Sequence, residues 1–391
     1  MRILQVIGSV NPQHGGVVEA VRLMSHAMKD LGHETEIATA DTPDAPWLDD
    51  FGFQVHALGP GTQPYQYCRK LGPWLKANTG HFDAVVANGL WNYTSVAVAA
   101  NTAPTTPYFV FVHGMLDPWF KQAFPLKHLA KQIYWLVAEG RALANARAVL
   151  FTAKDEQLRA RGTFWGYKFK EALVRLGIAP PPAEEIGRQA AAFFDLVPGV
   201  RDRAYLLFLG RLHPKKGCDI ALEAFAAVAN KYPDLDLVFA GPDQVGWRSE
   251  LEELAGSLGI TDRVHWTGML SGDGKWGAFR QCEAFVLPSH QENFGVVVAE
   301  AMACQRPVLI SSKINIWREV VDSGSGLASS DDIASFTAQL GEFLKLMPEQ
   351  RAAMGETAYQ CYLEKFQIEQ AARHYAVTLE QLIRSPEAAH G

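Results

Sequence analysis

Two α/β domains, each built on a parallel sheet, are predicted by three features of this sequence. Short apolar runs alternate with helical stretches, the alternation restarts near residue 204, and a proline triplet separates the two sets. A chain of 391 residues also exceeds what one ordinary hydrophobic core holds, and suits two domains of moderate size.

The first set opens with RILQVIG (2–8), followed by a Gly-Gly loop and a helical pattern over 17–31. It continues with IATA (37–40), FQVHAL (53–58), DAVVAN (83–88), YFVFVHG (108–114) and AVLFT (148–152). Each run is rich in β-branched or aromatic residues, and strands covered by helices on both faces read as continuous apolar runs. The second set is YLLFLG (205–210), LDLVFAG (235–241), RVHWTG (263–268), AFVLPS (284–289) and RPVLIS (306–311), with helical patterns at 217–230 and 247–258 between. The segment IAPPPAEE (178–185) can continue neither helix nor central strand and is the expected linker. Residues 367–384 read as one amphipathic helix. The predicted division is 1–178 plus the closing segment 367–391, and 179–366. Two such domains imply a cleft, and ligands of open α/β sheets bind beyond the carboxyl ends of the strands.

Bulk composition excludes several classes. A net charge of −6 argues against a nucleic-acid binder by charge alone. Five widely spaced cysteines without a CxxC pair argue against a disulfide framework or zinc knuckle and favour the cytoplasm. No stretch reaches the roughly 18 apolar residues of a membrane span. Charge is uneven, however: 17 Lys+Arg against 14 Asp+Glu in residues 1–180, but 19 against 28 thereafter.

The candidate chemistry lies just after strands. Glu292-Asn293-Phe294-Gly295-Val296 leads into a helix that carries Glu300. A helix amino terminus presents unpaired N–H groups and partial positive charge, which suits a phosphate, and carboxylates can accept from vicinal hydroxyls. Gly210-Arg211-Leu-His-Pro-Lys215-Lys216-Gly217 opens another helix, and its cations suit a diphosphate. Gly15 and Gly16 precede the first helix and permit close backbone approach to an anion. His113 closes an apolar run ahead of a glycine and is read as a polar contact rather than a general base; Asp117 follows as a weaker candidate. The histidines show no metal-ligand spacing and there is no DxD, so no metal is expected.

The E-x7-E element after a strand ending in Pro-Ser, eighty residues beyond G-R-x-x-x-x-K-G, resembles the family-4 retaining glycosyltransferases of GT-B fold. That resemblance implies two Rossmann-like domains, the first binding the acceptor and the second a nucleotide-sugar donor. By it, Glu292 faces the donor hexose, and the backbone of Asn293, Phe294, Gly295 and Val296 holds sugar hydroxyls and phosphate. Glu300 takes the ribose, and Arg211 and Lys216 neutralise the leaving diphosphate. His113 lies near the donor sugar, and Gly15 and Gly16 form the amino-terminal glycine loop. Base contacts fall around Pro242 and Met269. No cofactor or metal is implied. The HGMLDPW loop resembles bacterial polysaccharide enzymes and inclines the donor toward GDP-mannose, with UDP-glucose as the alternative. The acceptor would be a glycan or lipid-linked saccharide. A GT-B phosphorylase or synthase acting on a small sugar is the rival enzyme. Two departures stand out: Gln305 where the family commonly has glycine, and Val174-Arg-Leu-Gly-Ile178 in place of a Pro-Asn-Gly turn.

Residues 119–170 mix cations with aromatics, which suits contact with anionic lipid at the inner face of the plasma membrane. Within them, Leu126, Leu129, Ala130, Ile133 and Leu136 recur at helical spacing and are expected to face the core.

Overall fold

The computed structural model describes residues 1–183 and 185–385, without the side chains of Phe120 and Gln122. Glu184 of the expected linker and residues 386–391 of the closing segment lie outside the described residues. The chain forms two units, one of residues 1–177 with those from 368 onward, the other of residues 178–367.

Unit 1 holds a seven-stranded, all-parallel sheet. Its strands are β1 (Arg2–Ile7), β2 (Glu34–Thr39), β3 (Gln54–Ala57), β4 (Ala84–Asn88), β5 (Tyr108–Phe111), β6 (Ala148–Phe151) and β7 (Glu171–Leu173), in the order β3-β2-β1-β4-β5-β6-β7. Strand order reverses between β1 and β4, which pair directly with Ile3 opposite Ala84 and Ile7 opposite Asn88. The inner strands are apolar because helices cover both faces. On one face the closing helix Ile368–Arg384 buries Ile368, Ala371, Ala372, Tyr375, Ala376 and Leu379, a 3.6-residue stripe, against Ile3, Phe109 and Leu150. Gly177 lets that helix begin where it does: a Cβ there would stand 2.5 Å from the Ile368 Cα. The departure at Val174–Ile178 is therefore a packing requirement, with Val174 in the same core.

Unit 2 repeats the plan with six parallel strands: β8 (Ala204–Leu209), β9 (Leu235–Ala240), β10 (Val264–Gly268), β11 (Ala284–Leu287), β12 (Val308–Ser311) and β13 (Gly326–Ser329). Their order is β10-β9-β8-β11-β12-β13, reversing between β8 and β11. At the amino ends of these strands Asp236 accepts from Arg203, Arg263 and His265 at 2.7–2.9 Å, so that edge is closed by ion pairs. The carboxyl ends carry the motifs.

One expectation is overturned. The helix Pro125–Tyr134 forms, and runs on as one π-helical turn, Trp135–Glu139. Yet Leu126, Leu129, Ala130 and Ile133 are exposed and Leu136 is only half-buried. The buried side is instead marked by Gln132 and Trp135, with Gln132 exchanging two hydrogen bonds with the backbone of Trp165. Periodicity identifies a stripe but does not say which side of the helix is covered.

The second departure resolves differently. Gln305 follows the helix Val296–Ala303 and takes φ = 59°, the left-handed conformation that glycine commonly supplies there. Gln305 N–H donates to the Met302 carbonyl and Arg306 N–H to the Ala301 carbonyl, so the helix end is closed as a glycine would close it. Its side chain is exposed. Gln305→Gly should therefore relieve backbone strain and stabilise unit 2 by about 0.5–1 kcal/mol, after subtracting the greater freedom of glycine in the unfolded chain. Urea unfolding of the two proteins reads this directly, and a midpoint that falls in the variant would refute it.

Candidate active site

In unit 2 the two loops flanking the strand reversal are locked together. The stretch after β8 turns through a single 3-10 turn, Pro214–Lys216, capped by the His213 side chain, which accepts from Lys215 N–H at 3.0 Å. Gly217 follows at φ = 67°, and a Cβ on it would lie 2.3 Å from the Pro288 carbonyl oxygen, so only glycine lets this loop sit against the end of β11. Across that contact the Lys215 carbonyl accepts from His290 N–H (2.8 Å) and from Ser289 Oγ (2.9 Å). The outcome is a side-chain contact between the two motifs: Lys216 Nζ donates to Glu292 Oε2, with both groups only partly exposed. The sequence-predicted Lys216 and Glu292 are thus brought together at the topological switch point.

Glu292 is held from behind as well. Its N–H donates to the Lys313 carbonyl and its own carbonyl accepts from Asn315 N–H, both at 3.2 Å. Asn315 is fully buried, and its amide donates to Asn293 Oδ1 at 3.2 Å. Gly295 caps the following helix at φ = 74°, and Val296, the first helical residue, is exposed. The Phe294 side chain is buried edge-on to Phe366, so any contact with a sugar from this residue falls to its backbone. Arg211 is exposed and donates to Gln244 Oε1 at 2.8 Å. Glu300 is buried and accepts from Lys275 Nζ at 2.6 Å, while its other oxygen has no partner among the described residues. Burial raises its carboxyl above the usual range, and the Lys275 ammonium works against that shift. Pro242 and Met269 stand just past the neighbouring β9 and β10, with Met269 largely exposed.

Unit 1 presents its own set at the corresponding strand ends. Gly15 and Gly16 are exposed, with Gly15 at φ = 78° capping the helix Gly16–Asp30. The start of this loop is anchored by Asp41, a buried carboxylate that accepts from Ser9 Oγ (2.6 Å), Val10 N–H (2.7 Å) and Thr39 Oγ1 (2.9 Å). His113 lies two residues past β5 at φ = 47°. Its ring stacks on Phe111, centroids 4.0 Å apart, and its Nε2 lies 3.0 Å from Asn88 Oδ1. Asn88 spends its amide on Gln5 Oε1 (2.8 Å), so Oδ1 is left as the acceptor. Nε2 therefore carries the proton and Nδ1 a lone pair. Burial pushes the imidazole pKa down to about 3, so the ring is neutral throughout the physiological range. Glu156 fixes the backbone of the same turn by accepting from Gly114 N–H at 2.6 Å. Asp117 is buried and accepts from Trp119 N–H at 2.8 Å, so one of its oxygens shapes the local turn.

Sequence reasoning missed Asp41, Asn88, Glu156 and Lys275. All four bond to a predicted residue or its loop, and Asp41 and Asn88 sit at a strand's carboxyl edge, the one signal that could have found them.

Comparison with known proteins bears on this arrangement. The model described as glycosyl transferase 4-like domain matches residues 15–176, and that described as glycosyl transferases group 1 matches residues 197–361. The chain is similar to a D-inositol 3-phosphate glycosyltransferase of Actinosynnema mirum, 32% identical over 192 residues, 46% of this chain and 45% of that one. It is also similar to the alpha-D-kanosaminyltransferase of Streptomyces kanamyceticus, 30% identical over 178 residues, 46% of each chain. The chain spans less than half the length of these curated relatives. Among solved structures, Anabaena HepE in complex with UDP superposes with a TM-score of 0.75 at 19% identity, covering 97% of this chain and 100% of that one. Sucrose-phosphate synthase from Thermosynechococcus elongatus gives 0.73 at 20% identity, over 97% and 98%. The strand order of both units and the two matched domains agree: the chain belongs to the GT-B glycosyltransferases of the family-4 type.

Proposed function

We propose that this protein transfers a hexose from a nucleotide diphosphate donor, with retention at the anomeric carbon, to a hydroxyl of a glycan or lipid-linked saccharide in bacterial polysaccharide or glycolipid assembly. We place it in the cytoplasm, peripheral to the inner face of the plasma membrane. The contact between Lys216 and Glu292 at the strand reversal of unit 2 is the observation that carries the reading. A diphosphate offers Lys216 a second anionic partner, and Arg211 and the amide groups at Gly295 and Val296 would share its charge. Glu292, positioned by Lys216 and by the 313–315 backbone, would accept from hexose hydroxyls as positive charge builds on the sugar. Glu300 and Lys275 would take the ribose, Pro242 and Met269 the base. The leaving phosphate would help take the proton of the attacking hydroxyl, which approaches from the same face. The proposed chemistry needs no metal, because cationic side chains and helix-end amides take the role of charge stabiliser. His113, neutral with a lone pair on Nδ1, is proposed to accept from a hydroxyl and not to act as a base.

The inclination of the sequence toward GDP-mannose has a competitor. Anabaena HepE has been solved with UDP-glucose, which supports UDP-glucose as the second donor reading. Thermal unfolding with UDP, GDP, ADP and their hexose conjugates separates them. A donor near a hundred times its dissociation constant adds about 2.7 kcal/mol to stability, so one nucleotide class should raise the midpoint clearly. No shift with any of them would favour the rival phosphorylase, which takes free phosphate, or a carbohydrate-binding protein without transferase activity.

Glu292→Gln keeps the shape of the side chain and removes its charge. Turnover should fall by at least about a hundredfold, and a rate within about threefold of the parent would sink the role assigned to Glu292.

For His113 the test is pH. Its folded pKa lies below the ordinary 6.5, so folding excludes the proton: its contribution to stability is full above about 6.5 and is lost as pH falls toward 3. The pH profile of kcat between 5 and 8 should accordingly contain no limb from His113, and His113→Asn should lower the rate without altering the profile. A limb near 6.5 that vanishes in the variant would make the histidine a titrating catalyst instead.

A further inference from the structure

The helix Pro125–Tyr134 and its π-helical continuation carry an apolar stripe that faces outward. Leu126, Leu129, Ile133 and Val137 are 83%, 59%, 60% and 71% exposed. At 100° per residue they fall, together with the exposed Ala130, within about a third of the helix circumference. Trp165, in the segment packed on this helix, is 67% exposed. The segment carrying Trp165 is tied to the same helix on its buried side, where the Gln132 side chain donates to the Trp165 carbonyl (3.1 Å) and accepts from its N–H (3.2 Å).

The exposed charges of residues 118–170 have one sign. Lys121, Lys127, Lys168 and Lys170 are exposed. From residue 118 to 170 the sequence has three carboxylates, Glu139, Asp155 and Glu156, and all three are buried. A solvated helix face would normally carry polar residues of both signs. This one is apolar along its crest, with exposed lysines about it and an exposed indole on the segment packed against it, while the next carboxylate in the chain, Glu171, is paired with Arg161. Among the described residues no helix is long and apolar enough to cross a membrane. The pattern is that of a helix lying in the plane of an interface, its apolar crest in the acyl boundary and its lysines among anionic headgroups.

We propose that this face, the Pro125–Tyr134 helix with Val137 and Trp165, seats the protein on an anionic phospholipid leaflet. The inference rests on the peripheral location proposed above and not on the sugar chemistry, and it is measured with no donor present, so the two can fail separately. The experiment is flotation of the full chain with vesicles of phosphatidylcholine containing about a third phosphatidylglycerol, against phosphatidylcholine alone. The parent protein should float with the anionic vesicles and lose binding as salt rises, since screening weakens the lysine contribution. Leu129→Gln with Ile133→Gln should cut binding at least about tenfold, because two apolar anchors are lost, with the thermal midpoint unchanged since both sites are exposed. Lys168→Gln with Lys170→Gln should remove mainly the salt-sensitive part. Failure of the parent to float, or equal binding by the Leu129/Ile133 variant, would overturn the proposal. A concentration-dependent dimer in sedimentation that this variant abolishes, without vesicle binding, would overturn it too and assign the stripe to a second copy of the chain.

Discussion

The pairing of Lys216 with Glu292 depends on the reversal of strand order between β8 and β11, and the local architecture of unit 2 follows from both. Where neighbouring strands send their connections to opposite faces, the two loops leaving their carboxyl ends diverge and open a crevice. Here the loops are held at contact distance by Gly217 against Pro288 and by two hydrogen bonds to the Lys215 carbonyl. That rigid seam delivers an ammonium group to a carboxylate. Because both side chains are only partly exposed, losing one partner should cost about 1–3 kcal/mol, between the values for surface and buried pairs. The carboxylate is further fixed through Asn315, Asn293 and the backbone at Lys313, so Glu292 is oriented before any ligand contact is made. Pre-set orientation is what electrostatic catalysis requires of such a group.

Unit 1 reaches a comparable result by other means. Its reversal lies between β1 and β4, and Gln5 of β1 and Asn88 of β4 bridge it through a side-chain hydrogen bond. Asn88 in turn fixes the tautomer of His113, whose backbone turn is anchored by Glu156. In unit 2 the seam sets a charge; in unit 1 a chain of neutral amides sets a lone pair. Burial that drives the His113 pKa to about 3 excludes proton transfer at neutral pH but leaves hydrogen bonding intact. The two units share a topology, and the chemistry each offers is decided by which side chains end the strands.

Much of this was legible in the sequence because strands covered on both faces leave an unmistakable mark. All eleven expected strands formed, with ends within a few residues of the apolar runs. The two strands that went unpredicted, β7 and β13, each lie at one edge of a sheet and are three and four residues long, too short for an apolar run to stand out. Lys216 and Glu292 were legible because each belongs to a short motif just after a strand, and the family resemblance of those motifs singled them out. Asn88 and Asp41 were not, since what defines their roles is a partner 83 or about 30 residues away. Gln305 shows a third kind of limit: a backbone conformation can persist where the residue type argues against it, when the surrounding helix end supplies the closing hydrogen bonds.

The Pro125–Tyr134 helix shows where pattern reading fails for a physical reason. A hydrophobic stripe at 3.6-residue spacing records that something apolar covers it, and in a monomer the usual cover is the core. Here the opposite side of the helix is tied down by Gln132 and Trp135, and it is a polar residue making two hydrogen bonds that marks the buried side. Burial of that glutamine costs little because each half of its amide is paired. With the inner contacts satisfied in this way, the leucines and isoleucine are not needed for the core. Their cost in exposed apolar surface is what the proposed membrane seat would offset, with the exposed lysines facing the anionic headgroups.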